Sequence, residues 1–169
     1  MPLAFQVRAA TPDDTAAISA LNAEVFGPGR FVRTAYRIRA GMKLVSPYCK
    51  VCVTESGELV AAVRLAPIRI GSMDRALMLG PLAVAPAYAG QGHGRQLVAD
   101  SLEEARRSGV RLVLLVGDEP YYGRLGFARV PYGQITLPGP VDPDRLLAAE
   151  LVPGALAEAR GLVAGDRSA

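Results

Sequence analysis

Apolar residues recur along this chain at two spacings, and each switch between them marks a change of element. Ala4 to Ala9 reads as a first strand. Thr11-Pro12-Asp13-Asp14 then predicts a helix beginning at Pro12: Thr11 can cap it, proline suits the first helical position, and the two acids favour the positive helix end. Ile18, Leu21, Val25 and Phe26 continue at helical spacing, and Gly27-Pro28-Gly29 ends the run. Phe31, Ala35, Ile38 and Met42 predict a second, amphipathic helix whose remaining surface carries Arg30, Arg33, Arg37, Arg39 and Lys43.

Beyond Pro47 the pattern shortens into strands over Tyr48 to Thr54, Leu59 to Ile70 and Ala76 to Val84, with turns at Ser56-Gly57 and Gly71-Ser72. Tight turns between consecutive strands predict an antiparallel meander. Gly90 to Gly94 leads into a helix with Leu97, Val98, Leu102 and Ala105 on one face, and Gly109 ends it. The near-continuous apolar run Val110 to Val116 is that of a strand covered on both faces, so strand, helix and strand form a right-handed parallel crossover. A helical turn near Pro120 to Leu125 and edge strands over Phe127 to Tyr132 and Gln134 to Leu137 follow. Asp142-Pro143 resembles a helix start carrying Leu146, Leu147 and Leu151, and Pro153, Gly154 and the polar residues 165–169 suggest loosely attached segments.

At 169 residues the chain fits one domain. A net charge of +3 is too small to identify a nucleic-acid partner but is compatible with a phosphate-bearing one. With no leader-like start and no apolar run of membrane-spanning length, a cytoplasmic location without a membrane partner is expected. Cys49 and Cys52 form a C-x-x-C, yet a single histidine and no second cysteine pair leave a metal site without ligands. Their segment has strand composition, which would turn the two thiols to opposite faces as buried small hydrophobes.

The stretch richest in chemistry is Leu79 to Leu97, where a strand enters a glycine-rich turn and a helix begins at once. Backbone N–H groups converge there at the positive end of a helix dipole, an arrangement that binds phosphate. A Walker-type loop is excluded because Arg95-Gln96 stands where Lys-Ser/Thr is needed, and no register of the glycines gives G-x-G-x-x-G. These residues alone leave open a second reading, a turn whose glycines only let the helix pack closely on the strand.

At Ala89-Gly90-Gln91-Gly92-His93-Gly94 the sequence resembles the GNAT superfamily of N-acetyltransferases, whose acyl-CoA loop reads Arg/Gln-x-x-Gly-x-Gly/Ala. Ala89 replaces the first residue of that pattern, with Arg95 a candidate substitute. The resemblance continues in Leu82-Ala83-Val84, in Tyr121-Tyr122-Gly123-Arg124-Leu125-Gly126-Phe127, and, toward the YhbS-like branch, in residues 26–31 and 114–118. It implies an α/β (α+β) GNAT fold, a mixed central sheet with an antiparallel meander, one parallel β-α-β crossover and helices on both faces. It also implies a domain over 1–137 with a C-terminal extension over 138–169.

The resemblance further implies transfer of an acetyl group from acetyl-CoA to a primary amine by direct attack, without a metal. Leu82, Ala83, Val84, Ala89, Gly90, Gln91, Gly92, His93, Gly94 and Arg95 would bind the co-substrate, and Tyr122 would donate to the leaving thiolate. The acceptor would be a small-molecule or peptide amine, and the protein a homodimer. Two alternatives stand beside this: acetylation of a macromolecule, a protein or an aminoacyl-tRNA, suggested by the basic second helix, and a non-catalytic acyl-CoA-binding module. Glu24, Asp118 and Glu119 are the acids near the implied site, with none assigned as base.

Overall fold

Gly57 and Gly71, both at positive φ (88° and 58°), make the tight reversals on which the meander turns. At Gly71 no side chain fits, since a Cβ there would lie 2.2 Å from the Arg160 carbonyl oxygen. A computed structural model describes residues 4–27, 34–42 and 45–168. β1 (Phe5–Ala9), β2 (Lys50–Thr54), β3 (Leu59–Ile70) and β4 (Met73–Val84) pair antiparallel in that order. α1 (Thr15–Phe26) and α2 (Thr34–Arg39) lie between β1 and β2 in the chain.

From β4 the chain enters α3 (His93–Arg107) and returns as β5 (Leu112–Val116), parallel to β4. The predicted crossover is therefore present. After α4 (Glu119–Tyr122) come β6 (Ala128–Arg129), β7 (Ile135–Thr136), β8 (Leu146–Glu150), α5 (Ala155–Glu158) and β9 (Gly161–Gly165). The sheet order is β1-β2-β3-β4-β5-β8-β6, while β9 pairs with β7 and with the end of β3.

The sheet is buried on both faces. Leu97, Val98, Leu102 and Ala105 of α3 pack with Val63, Leu65, Leu77, Leu79, Val113 and Leu115 on one side. On the other, Leu21 of α1 joins Cys49, Val51, Val53 and Ala62, and Ile38 of α2 joins Ile68, Ile70, Met78, Leu112 and Leu114. Cys52 belongs to the α3 side and Cys49 to the α1 side, so the two free thiols face apart as a strand requires.

Three expectations are corrected. The predicted helix at Asp142 is a single 3-10 turn over Pro143–Arg145, and Leu146 to Glu150 form a strand paired residue for residue with β5. Leu146 and Leu147 point to opposite faces and both are buried. A strand covered on both sides loses its alternation, and Leu-Leu-Ala-Ala then reads equally well as helix. The expected edge strands shrink to the two-residue β6 and β7, and β4 begins at Met73 rather than Ala76.

Ahead of α1, the Asp14 carboxylate accepts from both guanidinium nitrogens of Arg8 (2.8 and 2.9 Å) and from the Thr11 amide (2.8 Å), tying β1 to the helix entry. Chiefly the Arg8 hydrogen bond holds the Asp14 carboxyl down at about 2, against an ordinary 3.8. A depressed carboxyl stabilises the fold above its unfolded value and ceases to as pH falls through its folded value. Asp14→Ala should therefore cost about 1 kcal/mol at neutral pH. Urea unfolding at stepped pH should show the wild-type advantage shrinking between about pH 4 and pH 2.

Candidate functional site

β4 and β5 are paired only over Ala76–Leu112, Leu77–Val113 and Met78–Leu114, although both strands continue. A bulge sets in just beyond: Gly80 and Pro81 occupy β4 opposite the single Arg64 of β3, between the Leu65–Leu79 and Val63–Leu82 pairs. Proline has no N–H to give a ladder, and a bulge adds twist. Leu82, Ala83 and Val84 stay paired to β3 on one edge through Val63, Ala62 and Ala61. Their other edge, toward β5, is released.

A cavity of about 670 Å³ occupies the resulting gap and is lined from both sides of the sheet. Leu82, Leu115 and Tyr122 contribute from the α3 side, and Ile18, Phe26 and Cys49 from the α1 side. Of the three acids considered from the sequence, Asp118 alone lines it, 3.4 Å from Arg145. Glu119 instead accepts from Arg129 Nε at 2.6 Å, and Glu24 is exposed on α1. Arg37 is exposed, whereas Arg30 and Arg33 lie outside the described residues.

The glycine-rich turn sits at the start of α3. Ala89 is exposed and ends a 3-10 turn, so its methyl adds no binding group. Gly90 and Gly92 have positive φ (76° and 86°) with open space at their missing Cβ positions. Among the described residues no acceptor takes the amides of Gly90, Gln91 or Gly92. The N-cap, Gly92, has no side chain to cap with, and the first turn of α3 holds no acid but does hold the exposed Arg95. A cation at the positive end of a helix is favourable only beside an anion, so these residues fit a phosphate group. The His93 ring turns away, packing on Phe5 with centroids 4.5 Å apart and lying 3.8 Å from Cys52 Sγ. Its Nε2 still lies 3.4 Å from Gln91 Oε1 in the turn.

Tyr121 and Tyr122 both stand on glycines. A Cβ on Gly94 would come within 2.9 Å of Tyr121 Oη, and one on Gly117 within 2.6 Å of Tyr122 Cε2. Tyr122 alone lines the cavity. Burial first, then the neighbouring Tyr121 and Asp118, push its phenol up to about 12, so it stays a protonated donor. Burial likewise raises Tyr121, against the pull of the nearby Arg95 charge.

Residues 6–130 match the family model described as an acetyltransferase (GNAT) domain. The chain belongs to this GNAT acetyltransferase family. It is 29% identical over 114 residues, 67% of this chain and 68% of the relative, to the uncharacterized N-acetyltransferase YhbS of Escherichia coli K12. Over 59 residues, about a third of each chain, it is 44% identical to YjhQ of the same organism. The crystal structure of E. coli YhbS in complex with CoA superposes with a TM-score of 0.83 at 26% identity, over 98% of this chain and 92% of that one. A Brucella melitensis GNAT acetyltransferase in complex with acetyl-CoA gives 0.63 at 28%, over 87% and 96%.

The sequence did not reveal the cavity's α1-side wall, where Arg39 and Arg64 lie. One signal was present: Arg64 interrupts the otherwise apolar run Leu59 to Ile68. The seating of Gly94 yields a test. Gly94→Val should lower stability by about 1–3 kcal/mol through overpacking against Tyr121, Val84 and Leu82. Adding Tyr121→Phe, which removes the oxygen in the way, should recover part of that loss in thermal unfolding. Strictly additive losses would mean that Gly94 is not seated on that hydroxyl.

Proposed function

We propose that this GNAT protein transfers the acetyl group of acetyl-CoA to a primary amine by direct attack of the amine on the thioester carbonyl. The parting of β4 from β5 carries the reading, because it places a free strand edge and a half-buried tyrosine at one cavity, with a phosphate-ready helix start following β4 in the chain. The CoA and acetyl-CoA bound to the E. coli and Brucella relatives support the co-substrate. In this reading the amides over Gly90 to Gly94 hold the pyrophosphate, with Arg95 adding charge where Ala89 cannot. The released edge of Leu82 to Val84 runs along the pantetheine arm and offers N–H to the carbonyl oxygen as charge builds there. A cytoplasmic location belongs to the same reading.

The amine nitrogen forms its bond to the carbonyl carbon as the carbon–sulfur bond breaks, and the electron pair leaves on sulfur. Tyr122 meets that thiolate. With its phenol near 12 and a thiol near 8.5, full proton transfer is unfavourable by about 5 kcal/mol. Tyr122 therefore acts as a hydrogen-bond donor that strengthens as the thiolate forms. Tyr122→Phe should lower kcat by about 10- to 100-fold with the KM for acetyl-CoA little changed. The alkaline limb of the pH profile should not move, since the phenol stays protonated well past pH 10.

CoA release measured with a panel of amines tests the whole proposal. Turnover of acetyl-CoA with any amine, lost in part with Tyr122→Phe, is the expected result. Tight acetyl-CoA binding by calorimetry with no turnover across the panel would favour a non-catalytic acyl-CoA-binding module. Unchanged binding in a folded Gly92→Val variant would remove the glycine turn from the site, because valine is strained at the positive φ that Gly92 holds there.

A further inference from the structure

We infer that the acceptor is a primary amine that also carries an anionic group, a carboxylate or a phosphate, which Arg39 and Arg64 recognise within the cavity; this rests on the acetyltransferase reading above. Arg64 stands on β3 opposite the Gly80-Pro81 bulge. Its neighbours Val63 and Leu65 pack toward α3, so Arg64 faces the other side, toward α1 and α2. Arg39, at the end of α2, is only 7% exposed. Its Nη1 lies 3.6 Å from where a Cβ of Gly80 would be. Both arginines line the cavity, and both stand at the bulge where β4 leaves β5. The charge therefore sits at the point of chemistry, on the side away from Tyr122 and α3.

The acids of the cavity are elsewhere. Asp118 pairs with Arg145, and Asp142 accepts the Asp144 amide at 2.9 Å; both lie on the rim built by residues 116–118 and 140–145. From α1 the wall receives Thr15, Ser19 and Asn22, at i, i+4 and i+7, which are polar and uncharged. Among the described residues, the wall formed by β3 and α2 is thus cationic through Arg64 and Arg39, and α1 adds neutral hydrogen-bonding groups to the same cavity. A guanidinium presents five N–H donors in a rigid fork, so each arginine can keep partners within the chain and still offer a bidentate face to a carboxylate or phosphate. Burial strengthens such a contact, because the surrounding dielectric is low. A purely apolar or cationic amine would bring nothing to match this wall and would meet repulsion from it.

The experiment compares matched acceptors with the intact protein: an amino acid against its α-amide, and an aminoalkyl phosphate against the corresponding amino alcohol, each followed by CoA release. The anion-bearing member of at least one pair should have the higher kcat/KM, by roughly 10- to 100-fold, and which pair shows it decides between carboxylate and phosphate. Arg64→Gln should raise the acceptor KM and collapse that ratio toward one, and Arg64→Lys should restore part of it, while the KM for acetyl-CoA serves as the control. Because Arg39 is buried, Arg39→Gln is read together with its melting temperature, and the less buried Arg64 decides if that variant unfolds. Equal kcat/KM within both pairs, or a ratio that survives Arg64→Gln, would overturn the inference while leaving the acetyltransferase reading intact. No turnover of any of the four acceptors or of the wider amine panel would remove both.

Discussion

Two parallel strands that begin as partners and then separate are the constraint on which the rest of this molecule depends. Parallel strands are stable only when each N–H and C=O finds a partner, so a ladder that stops at Met78 and Leu114 leaves backbone groups that the protein must leave to something else. The bulge at Gly80-Pro81 causes the separation locally, by adding a residue and withholding an N–H. α3 then keeps it in place, since Gly94 lets the helix sit directly on Leu82 and Val84.

The site depends on absent side chains as much as on present ones. Gly94 and Gly117 lie on either side of the separation, and the space their side chains would have taken is occupied by Tyr121 and Tyr122. The two rings meet edge to face with centroids 4.8 Å apart, and Phe127 backs Tyr122 at 5.8 Å. One tyrosine is therefore fixed near the helix start and the other in the cavity, with little freedom to exchange roles. Burial then decides the acidity of Tyr122.

Much of this was legible because it rests on local signals. The entry into α1, a 3-10 turn over Pro12–Asp14 ahead of Thr15, the reversals at Ser56-Gly57 and Gly71-Ser72, and the glycine turn into α3 are dictated by residues adjacent in the chain. The register of β8 was not, because Leu146 to Ala149 are apolar on both sides and only their neighbours β5 and β6 decide between strand and helix. Arg39 and Arg64 escaped for a related reason. They are 25 positions apart on different elements, and only the folded sheet brings both to Gly80-Pro81. The packing of the His93 ring on Phe5 was equally out of reach, since the two residues lie 88 positions apart.

The position of β8 has a consequence for the life of the chain on the ribosome. β5 holds three register pairs with β4 but five with β8, a strand that emerges some thirty residues later. Until then the nascent protein presents Leu112 to Val116 as a bare, flat, apolar edge, the kind of surface that recruits other chains. Chaperone shielding or slow release at that stage would matter more here than for a fold whose centre closes first. A translation product halted between residues 123 and 145 would carry the helix start and the tyrosine pair without the strand that keeps them from aggregating.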